Sequence, residues 1–216
     1  MSRFLLVTIT EGDNTSSLYS LSLAHSMGAA ITNRIELFPI FYQSNGNWAM
    51  AFNQALTLAY KEEVDGIVFV APTLRWNPEN LMDVLVTDKD AVAIPVATRD
   101  GINVQLGEIA RLQEDERTGE IKVQSASLDF LYLSSYSIGE LCKSHPTVTY
   151  FNEPTQLVLQ SGDIYQSYHT HEDVLAYRLR ELGIEIWVDP RHTAYRQDVI
   201  TYESDFAAIL QNLKDQ

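Results

Sequence analysis

The sequence predicts an α/β domain of GT-A-like, or Rossmann-like, type: a mostly parallel sheet flanked by helices, with an antiparallel extension. Apolar runs alternate with segments of helical spacing through residues 1–100, which is the pattern of parallel strands joined by crossover helices. Residues 103–135 contain short strands around a turn, as in an antiparallel meander. Residues 171–188 return to a helix followed by an alternating strand.

The strands of the first half are continuous apolar runs, which a strand buried on both faces requires. They are expected at residues 4–9, 35–41, 66–70 and 91–96. Pro39 interrupts the second run. Because proline cannot donate to a sheet ladder, we expect this strand to lie at an edge of the sheet or to end early.

A helix is expected after the first strand. Asn14 or Thr15 can cap it, and Leu18, Leu21 and Met27 share one of its sides. Further helices are predicted from spacing, caps and stop signals at residues 48–63, 78–85, 171–182 and 203–213.

The composition limits the kinds of function. The chain has 29 acidic and 15 basic residues, a net charge of −14, and this field disfavours extended nucleic-acid binding, although a local basic pocket could hold one nucleotide. The apolar run at residues 4–9 is too short for a signal peptide or a membrane span. Cys142 is the only cysteine, which excludes an intrachain disulfide. We therefore expect one cytoplasmic domain over residues 1–216, with no membrane partner.

Three segments resemble, in order, the glycosyltransferases of GT-A fold found in phage genomes. They lie at residues 52–55, 67–81 and 171–190. The third is the most specific, since it has an acidic pair on a helix, then arginines, then Leu-Gly, then a strand closing in Trp-Val-Asp-Pro. The resemblance implies a nucleotide-binding half at residues 1–100, an acceptor half at residues 101–216 and, for a phage protein, the host cytoplasm.

The chain departs from this family at the metal site. The family's Asp-x-Asp, which holds a divalent metal on the donor diphosphate, falls at Ala71-Pro72-Thr73. The later histidine of the metal site falls at Arg196, and the glycine of a Gly-Phe block falls at Asp129. Because Mg²⁺ and Mn²⁺ prefer carboxylate oxygens, we expect no divalent metal and no other cofactor. Arginines can neutralise a leaving diphosphate instead.

The resemblance also implies which residues meet the nucleotide sugar. The N-terminal sheet and the helix after it contribute Thr10, Glu11 and Asn53. The residues in or beside the diphosphate positions are Thr73, Arg75, Arg191 and Arg196. For Arg75 and Arg196, a solvated surface arginine is the alternative. Trp76 and Trp187 have aromatic faces for a base or a sugar, or else belong to the core.

Glu172 and Asp173 match the family's acidic pair, in which one carboxylate acts as general base toward the acceptor hydroxyl. We expect Asp173 to be that base and to point into the cleft at the ends of the strands at residues 4–9 and 66–70. The alternative is that both acids stabilise their own helix, since acids in a first turn favour the helix dipole.

Two functions follow from the resemblance. The first is a metal-independent glycosyltransferase that moves a sugar from a nucleotide sugar to an acceptor hydroxyl. The second is a non-catalytic relative that binds a sugar nucleotide, an acceptor or an active partner subunit. A modified base in phage DNA is an acceptor that the family allows, although the net charge weighs against it. The resemblance is compatible with either a homo-oligomer or a hetero-oligomer.

Overall fold

The computed structural model describes residues 1–12, 15–98, 101–102, 104–105, 113–144 and 171–196. The helices of these residues are α1 (Ser17–Thr32), α2 (Trp48–Lys61), α3 (Pro78–Leu85), α4 (Ser135–Ser144) and α5 (His171–Glu181). The strands are β1 (Ser2–Thr10), β2 (Ile35–Gln43), β3 (Gly66–Val70), β4 (Leu74–Arg75), β5 (Ala91–Ala93), β6 (Val96–Thr98), β7 (Gly101–Ile102), β8 (Val104–Gln105), β9 (Ile121–Val123), β10 (Ser125–Ala126), β11 (Phe130–Ser134), β12 (Ile186–Val188) and β13 (Ala194–Arg196).

The main sheet of the described chain has seven strands in the order β2-β1-β3-β11-β5-β12-β9. β1 is parallel to β2 and β3, and β5 is parallel to β12. β11 and β9 run antiparallel to their neighbours. The prediction of an α/β fold with a mostly parallel sheet, flanking helices and antiparallel additions is confirmed.

One antiparallel strand lies within the main sheet, although the sequence indicated strands beside it. β11 pairs with β3 on one side and with β5 on the other. Its first four residues are buried, because an apolar run that continues on both faces suits a central position. β8 and β10 form a separate antiparallel pair, as the predicted meander requires.

Prolines set the limits of two other strands. Pro39 lies in β2, which is the edge strand of the main sheet, as predicted. The predicted strand at residues 91–96 is divided instead. β5 ends at Ala93, and β6 begins after Pro95 in a four-stranded sheet of order β4-β13-β6-β7. Pro95 cannot donate, and its carbonyl accepts from the backbone N–H of Ala194 at 2.9 Å, which extends the pairing of β6 with β13.

Two apolar cores cover the faces of the main sheet. Leu5, Val7 and Ile9 of β1 pack with residues of α2, α4 and α5. Phe4 and Leu6 point to the other face and pack with residues of α1 and α3. This alternation is the period of two that places successive side chains of a strand on opposite faces.

The N-cap of α1 is Ser16 rather than Asn14 or Thr15. Its hydroxyl accepts from the backbone N–H of Tyr19 at 3.0 Å, which satisfies one of the unpaired N–H groups of the first turn. The Ser16 N–H donates to the carbonyl of Pro72 at 2.9 Å. The cap therefore fixes α1 against the segment that follows β3. Asn14 lies outside the described residues.

The buried side of α1 also differs from the prediction. Its buried residues are Tyr19, Ser22, Ser26 and Ala30, whereas Leu21 is 52% exposed. Hydrogen bonds explain this orientation. Ser22 accepts from the backbone N–H of Trp76 at 3.1 Å, and Ser26 accepts from its indole N–H at 3.0 Å. Tyr19 pairs with the hydroxyl of Thr8. These polar side chains face the core because each finds a partner there.

The other helices follow the sequence closely. α2 and α3 lie where their spacing and the cap at Asn77 predicted them. α5 ends before Gly183, whose φ of +74° is the left-handed conformation of a helix stop. Cys142 is buried in α4. The helix predicted at residues 203–213 lies outside the described residues, and the division into halves at residue 100 stays a prediction. None of the described helices is long and apolar enough to cross a membrane.

Replacing Gly66 with alanine should lower the free energy of unfolding by about 1–3 kcal/mol. A Cβ at this position would lie 2.5 Å from Cε2 of Tyr132 and 3.0 Å from the carbonyl oxygen of Leu133, so β3 and β11 would have to separate. Urea unfolding of both proteins measures the difference. Gly28→Ala in α1 is the matched control, because a Cβ added at this position meets no described part of the chain within 4 Å. This substitution should raise the free energy of unfolding by about 1 kcal/mol, since alanine favours a helix more than glycine does. A Gly66→Ala protein as stable as the wild type would contradict the packing described here.

Candidate active site

A cavity of about 310 Å³ lies at the carboxyl ends of β1 and β3, where open α/β sheets bind their ligands. Most of its wall is apolar. Its lining residues are Val7, Ile9, Trp48, Phe52, Phe69, Val70, Ala71, Pro72, Leu128, Asp129 and Glu172. We call it the strand-end cavity. It includes Ala71 and Pro72 of the three positions on which the family's Asp-x-Asp falls, and one member of the acidic pair.

Aromatic side chains form one wall of the strand-end cavity. The indole N–H of Trp48 donates to the Glu11 carboxylate at 3.1 Å, and its ring lies 6.5 Å from that of Phe52, tilted by 34°. Glu11 therefore holds Trp48 in place rather than facing the cavity itself. Trp48 was not among the residues predicted for the site, although its position directly after the turn that follows β2 places it at this edge of the sheet.

The two tryptophans named from the sequence lie elsewhere. Trp76 is 3% exposed and packs with Tyr19 at a ring distance of 5.2 Å. Trp187 is half-buried in β12, and the ammonium group of Lys89 lies 4.5 Å from its ring centre. Trp76 is a core residue, and Trp187 forms a cation–π contact.

The two members of the acidic pair have different positions. Both lie in the first turn of α5 and are half-buried. Glu172 lines the strand-end cavity, whereas Asp173 is not among the described residues that line it. Val174 and Leu175 anchor the helix in the core. Of the acidic pair, Glu172 is therefore the member that lines the cavity, whereas Asp173 as the general base stays a prediction.

Two of the departures from the family form an ion pair. The guanidinium of Arg196 contacts the carboxylate of Asp129, with 30% and 21% of these side chains exposed. The carbonyl of Asp129 accepts from the N–H of Ala71 at 2.7 Å, and Arg196 lies opposite Leu74 in the sheet register. The pair therefore lies beside residues 71–73. The Nε atom of Arg196 is buried without a hydrogen-bond partner in the described chain.

The residues at this position do not fit a divalent metal ion. Ala71 and Pro72 have no side-chain donor atom, and Thr73 offers only a hydroxyl. Mg²⁺ and Mn²⁺ need several oxygen ligands, carboxylates above all. Arg196 brings a positive charge to the same place. The described residues also contain no cluster of three or more His, Cys, Asp or Glu side chains able to hold a metal.

The remaining residues expected at the donor lie around the carboxyl end of β1 and on α2. Thr10 is buried, and its hydroxyl donates to the carbonyl of Gly12 at 2.6 Å. Asn53 on α2 and Thr73 after β3 are half-buried. None of these three lines the strand-end cavity as described. Thr10 stabilises the turn after β1 through its hydrogen bond.

Arg75 and Arg191 lie apart from Arg196. Arg75 is exposed on β4 opposite Tyr195, and both arginines line a second cavity of about 880 Å³ between α1, the start of α3 and β13. Arg191 donates from Nε to Asp189 at 2.8 Å, and this hydrogen bond raises the pKa of its guanidinium. Arg75 and Arg191 thus line the second cavity, whereas Arg196 contacts Asp129 of the strand-end cavity without lining it.

The fold has relatives of known structure. No protein-family model matches the sequence, and no curated protein sequence matches it significantly. The structure is similar to that of A197 from STIV, with a TM-score of 0.53 and 12% identity over 91% of this chain and 86% of that chain. The likeness shows the fold alone.

Two further solved structures are similar to this chain with TM-scores below 0.5. One is to GalNAc-T7 with UDP, GalNAc and Mn²⁺, with a TM-score of 0.48 and 8% identity over 99% of this chain and 47% of that chain. The other is to the inositol-1-phosphate CTP transferase from T. maritima, with a TM-score of 0.43 and 10% identity over 99% and 95% of the two chains. Similarity at this level carries no functional argument.

Proposed function

We propose that the chain is a glycosyltransferase that moves a sugar from a nucleotide sugar to an acceptor hydroxyl without a divalent metal. The observation that carries the proposal is the Glu172 carboxylate on the wall of the strand-end cavity. A carboxylate in that position can take the proton of an acceptor hydroxyl as its oxygen attacks the sugar.

Glu172 is the general base in this proposal, and Asp173 positions it. A base must come within hydrogen-bond reach of the proton that it removes. Glu172 can meet this condition for an acceptor bound beside it, because it is one of the residues that line the cavity. Asp173 is the next residue of the same helical turn, so its charge favours the helix dipole and stabilises the turn.

The donor lies between the aromatic wall and the Asp129–Arg196 pair in this proposal. Trp48 and Phe52 offer flat apolar faces to a base or a sugar ring. Arg196 offers positive charge beside residues 71–73. A guanidinium has five N–H donors, so one carboxylate partner leaves donors for phosphate oxygens. The charge that builds up on the leaving diphosphate is then met by an arginine.

A non-catalytic relative is the second candidate, and a specific observation favours it. The charged side chains that line the strand-end cavity, Asp129 and Glu172, are both acidic, and Arg196 is already paired with the first of them. A cavity of this kind suits an uncharged sugar or acceptor better than a diphosphate. In this candidate the chain binds such a ligand, or an active partner subunit, and transfers nothing.

A screen with a panel of nucleotide sugars separates the two candidates. We expect at least one to raise the unfolding temperature of the wild type and to be consumed when acceptors with free hydroxyls are added, among them sugars and hydroxyl-bearing modified DNA bases. Ligand binding to the folded state raises stability by mass action. A rise in stability without release of a nucleoside diphosphate supports the non-catalytic candidate. The absence of any response to nucleotide sugars rejects the transferase.

Removal of divalent metals should leave donor binding unchanged. The residues at positions 71–73 and 196 do not fit a metal. Calorimetry of donor binding in EDTA and in Mn²⁺ should therefore give affinities within about twofold of each other. If a coordinated metal were required, its removal would cost several kcal/mol of charge stabilisation. The Ala71→Asp, Thr73→Asp double variant is a useful comparison, since it restores two carboxylates. A donor that binds the wild type only in Mn²⁺ would contradict the metal-independent mechanism.

A further inference from the structure

The second cavity, of about 880 Å³, is separate from the strand-end cavity. It lies between α1, β4, the first turn of α3 and the segment at residues 191–195. The two cavities have no lining residue in common. We call it the α1–α3 cavity, because these helices pack on the opposite face of the main sheet from α2, α4 and α5. It is therefore a different place in the fold from the cavity proposed for the transfer reaction.

The charge of the α1–α3 cavity is opposite to that of the whole chain. Its charged or titratable cationic side chains are Arg75, Arg191 and His25, and no Asp or Glu is among its described lining residues. The chain as a whole has 29 acidic against 15 basic residues. Arg191 is ion-paired with Asp189, so Arg75 provides the charge that is not compensated within the described residues, and this charge attracts anions.

Two of its polar side chains have no partner in the described chain. Arg75 is exposed and forms no ion pair or hydrogen bond through its guanidinium with any described residue. Asn80 lines the cavity and is only 8% exposed, yet its side-chain amide makes no hydrogen bond within the described residues, where only its backbone N–H donates, to Asn77. The amide is not among the buried side-chain atoms that lack a partner, so it is open to the cavity and can bond to a ligand there.

The cavity also has an apolar side. Leu18 and Leu21 of α1 line it, and this accounts for the exposure of Leu21, which the sequence pattern placed in the core. The N–H groups of Glu79 and Asn80 in the first turn of α3 are already bonded to Asn77, so side chains rather than the helix end provide the donors. The site thus combines a cationic, hydrogen-bonding part with an apolar part.

We propose that the α1–α3 cavity binds a phosphate monoester. The Arg75 fork and the Asn80 amide donate to the phosphate oxygens. Arg191 has more than half of its side chain exposed and adds the donors that Asp189 does not use. The organic part of the ester lies against Leu18 and Leu21. A dianion with three terminal oxygens matches two guanidinium groups and an amide better than a single carboxylate does.

Phenyl phosphate is the probe for this site, with inorganic phosphate and benzoate as comparisons. Calorimetry at low salt should give saturable binding of phenyl phosphate to the wild type, tighter than that of either comparison. Arg75→Ala should weaken it by at least about tenfold, as the loss of a charge-assisted contact predicts. Lys61→Ala changes the net charge equally on the exposed end of α2 and should leave the affinity unchanged. Equal losses in both variants, or benzoate binding as tightly as phenyl phosphate, would overturn the proposal.

The chain's three tryptophans report where the probe binds. Trp76 lines the α1–α3 cavity and Trp48 lines the strand-end cavity. In NMR spectra phenyl phosphate should shift the indole N–H signal of Trp76 and leave that of Trp48 in place. A shift of the Trp48 signal alone would assign the binding to the other cavity and reject this proposal. Neither result depends on sugar transfer, so the two proposals fail separately.

Asn80→Leu tests the unpaired amide. Leucine has a similar size, and the amide makes no hydrogen bond within the described residues, so the unfolding temperature without ligand should change little. The increase in unfolding temperature that phenyl phosphate gives the wild type should fall by more than half. A variant that keeps the full response would show that the amide does not contact the ligand and would overturn its assigned role.

Discussion

Replacing Glu172 with glutamine should lower the rate of sugar transfer by about 10²–10⁴-fold, which is the usual contribution of a general base. Donor affinity should change by less than about twofold, because the carboxylate acts on the acceptor proton rather than on the donor. Glutamine keeps the shape of the side chain and its contacts on the cavity wall. Turnover with saturating donor and calorimetry of donor binding measure the two effects separately.

Asp173→Asn is the matched control, since it removes a charge from the adjacent position of the same helical turn. We expect it to lower turnover by less than about tenfold, through a small loss of helix stability alone. If Asp173→Asn abolishes transfer and Glu172→Gln does not, the aspartate is the base and the cavity described here is not the acceptor site. Equal losses of donor affinity in both would show that the pair shapes the pocket.

Alkaline pH should unfold the chain by ionising two buried tyrosines. Burial raises the pKa of Tyr19 to about 12, against the hydrogen bond from Thr8, which lowers it. Burial, with smaller contributions from the charges of Asp90 and Asp65, raises the pKa of Tyr132 to about 12. In the unfolded chain both titrate near 10. Their protonated forms therefore stabilise the fold fully below pH 10, and this stability is lost between pH 10 and pH 12. The loss is about 1 kcal/mol per tyrosine by pH 11 and roughly 2–3 kcal/mol each above pH 12.

Tyr132→Phe tests this expectation with little other disturbance, because no hydrogen bond of its hydroxyl occurs in the described chain. Between pH 8 and pH 11, the free energy of unfolding of the variant should fall by about 1 kcal/mol less than that of the wild type. Urea unfolding at the two pH values measures the difference. Tyr136→Phe is the control, since that side chain is 54% exposed in the folded chain and its substitution should not change the pH dependence. Identical profiles for the wild type and Tyr132→Phe would disprove the burial effect.

The fold was predictable where its signals are local. Apolar runs, the proline in the edge strand and the Asn-Pro helix start all depend on residues near one another in sequence. The position of β11 was not, because a run such as Phe-Leu-Tyr-Leu indicates burial on both faces but not which strands lie on each side. The orientation of α1 was missed because Ser22 and Ser26 are polar by composition and become core residues only through Trp76, about fifty residues away.

The site was predictable in part. The resemblance led to Glu172, Asp129 and Arg196, and the structure brings these near one cavity. The resemblance could not show that Arg75 and Arg196 lie on opposite faces of the paired strands β4 and β13. In the register of these strands, Arg75 lies opposite Tyr195 and Arg196 lies opposite Leu74. A side chain's face depends on strand register, and a register shift of one residue reverses it. The choice between Glu172 and Asp173 likewise depends on how α5 is oriented on the sheet, because neighbouring residues of a helix point in different directions.

The contact between Asp129 and Arg196 has a consequence for how such a chain can change over generations. A single substitution of Arg196 removes the guanidinium from a partly buried carboxylate, and a single substitution of Asp129 removes the carboxylate from a partly buried guanidinium. Either change costs about 1–3 kcal/mol, a large part of the stability margin of a domain. Each member of the pair therefore makes substitution of the other more costly, so we expect the two positions to change together rather than one at a time.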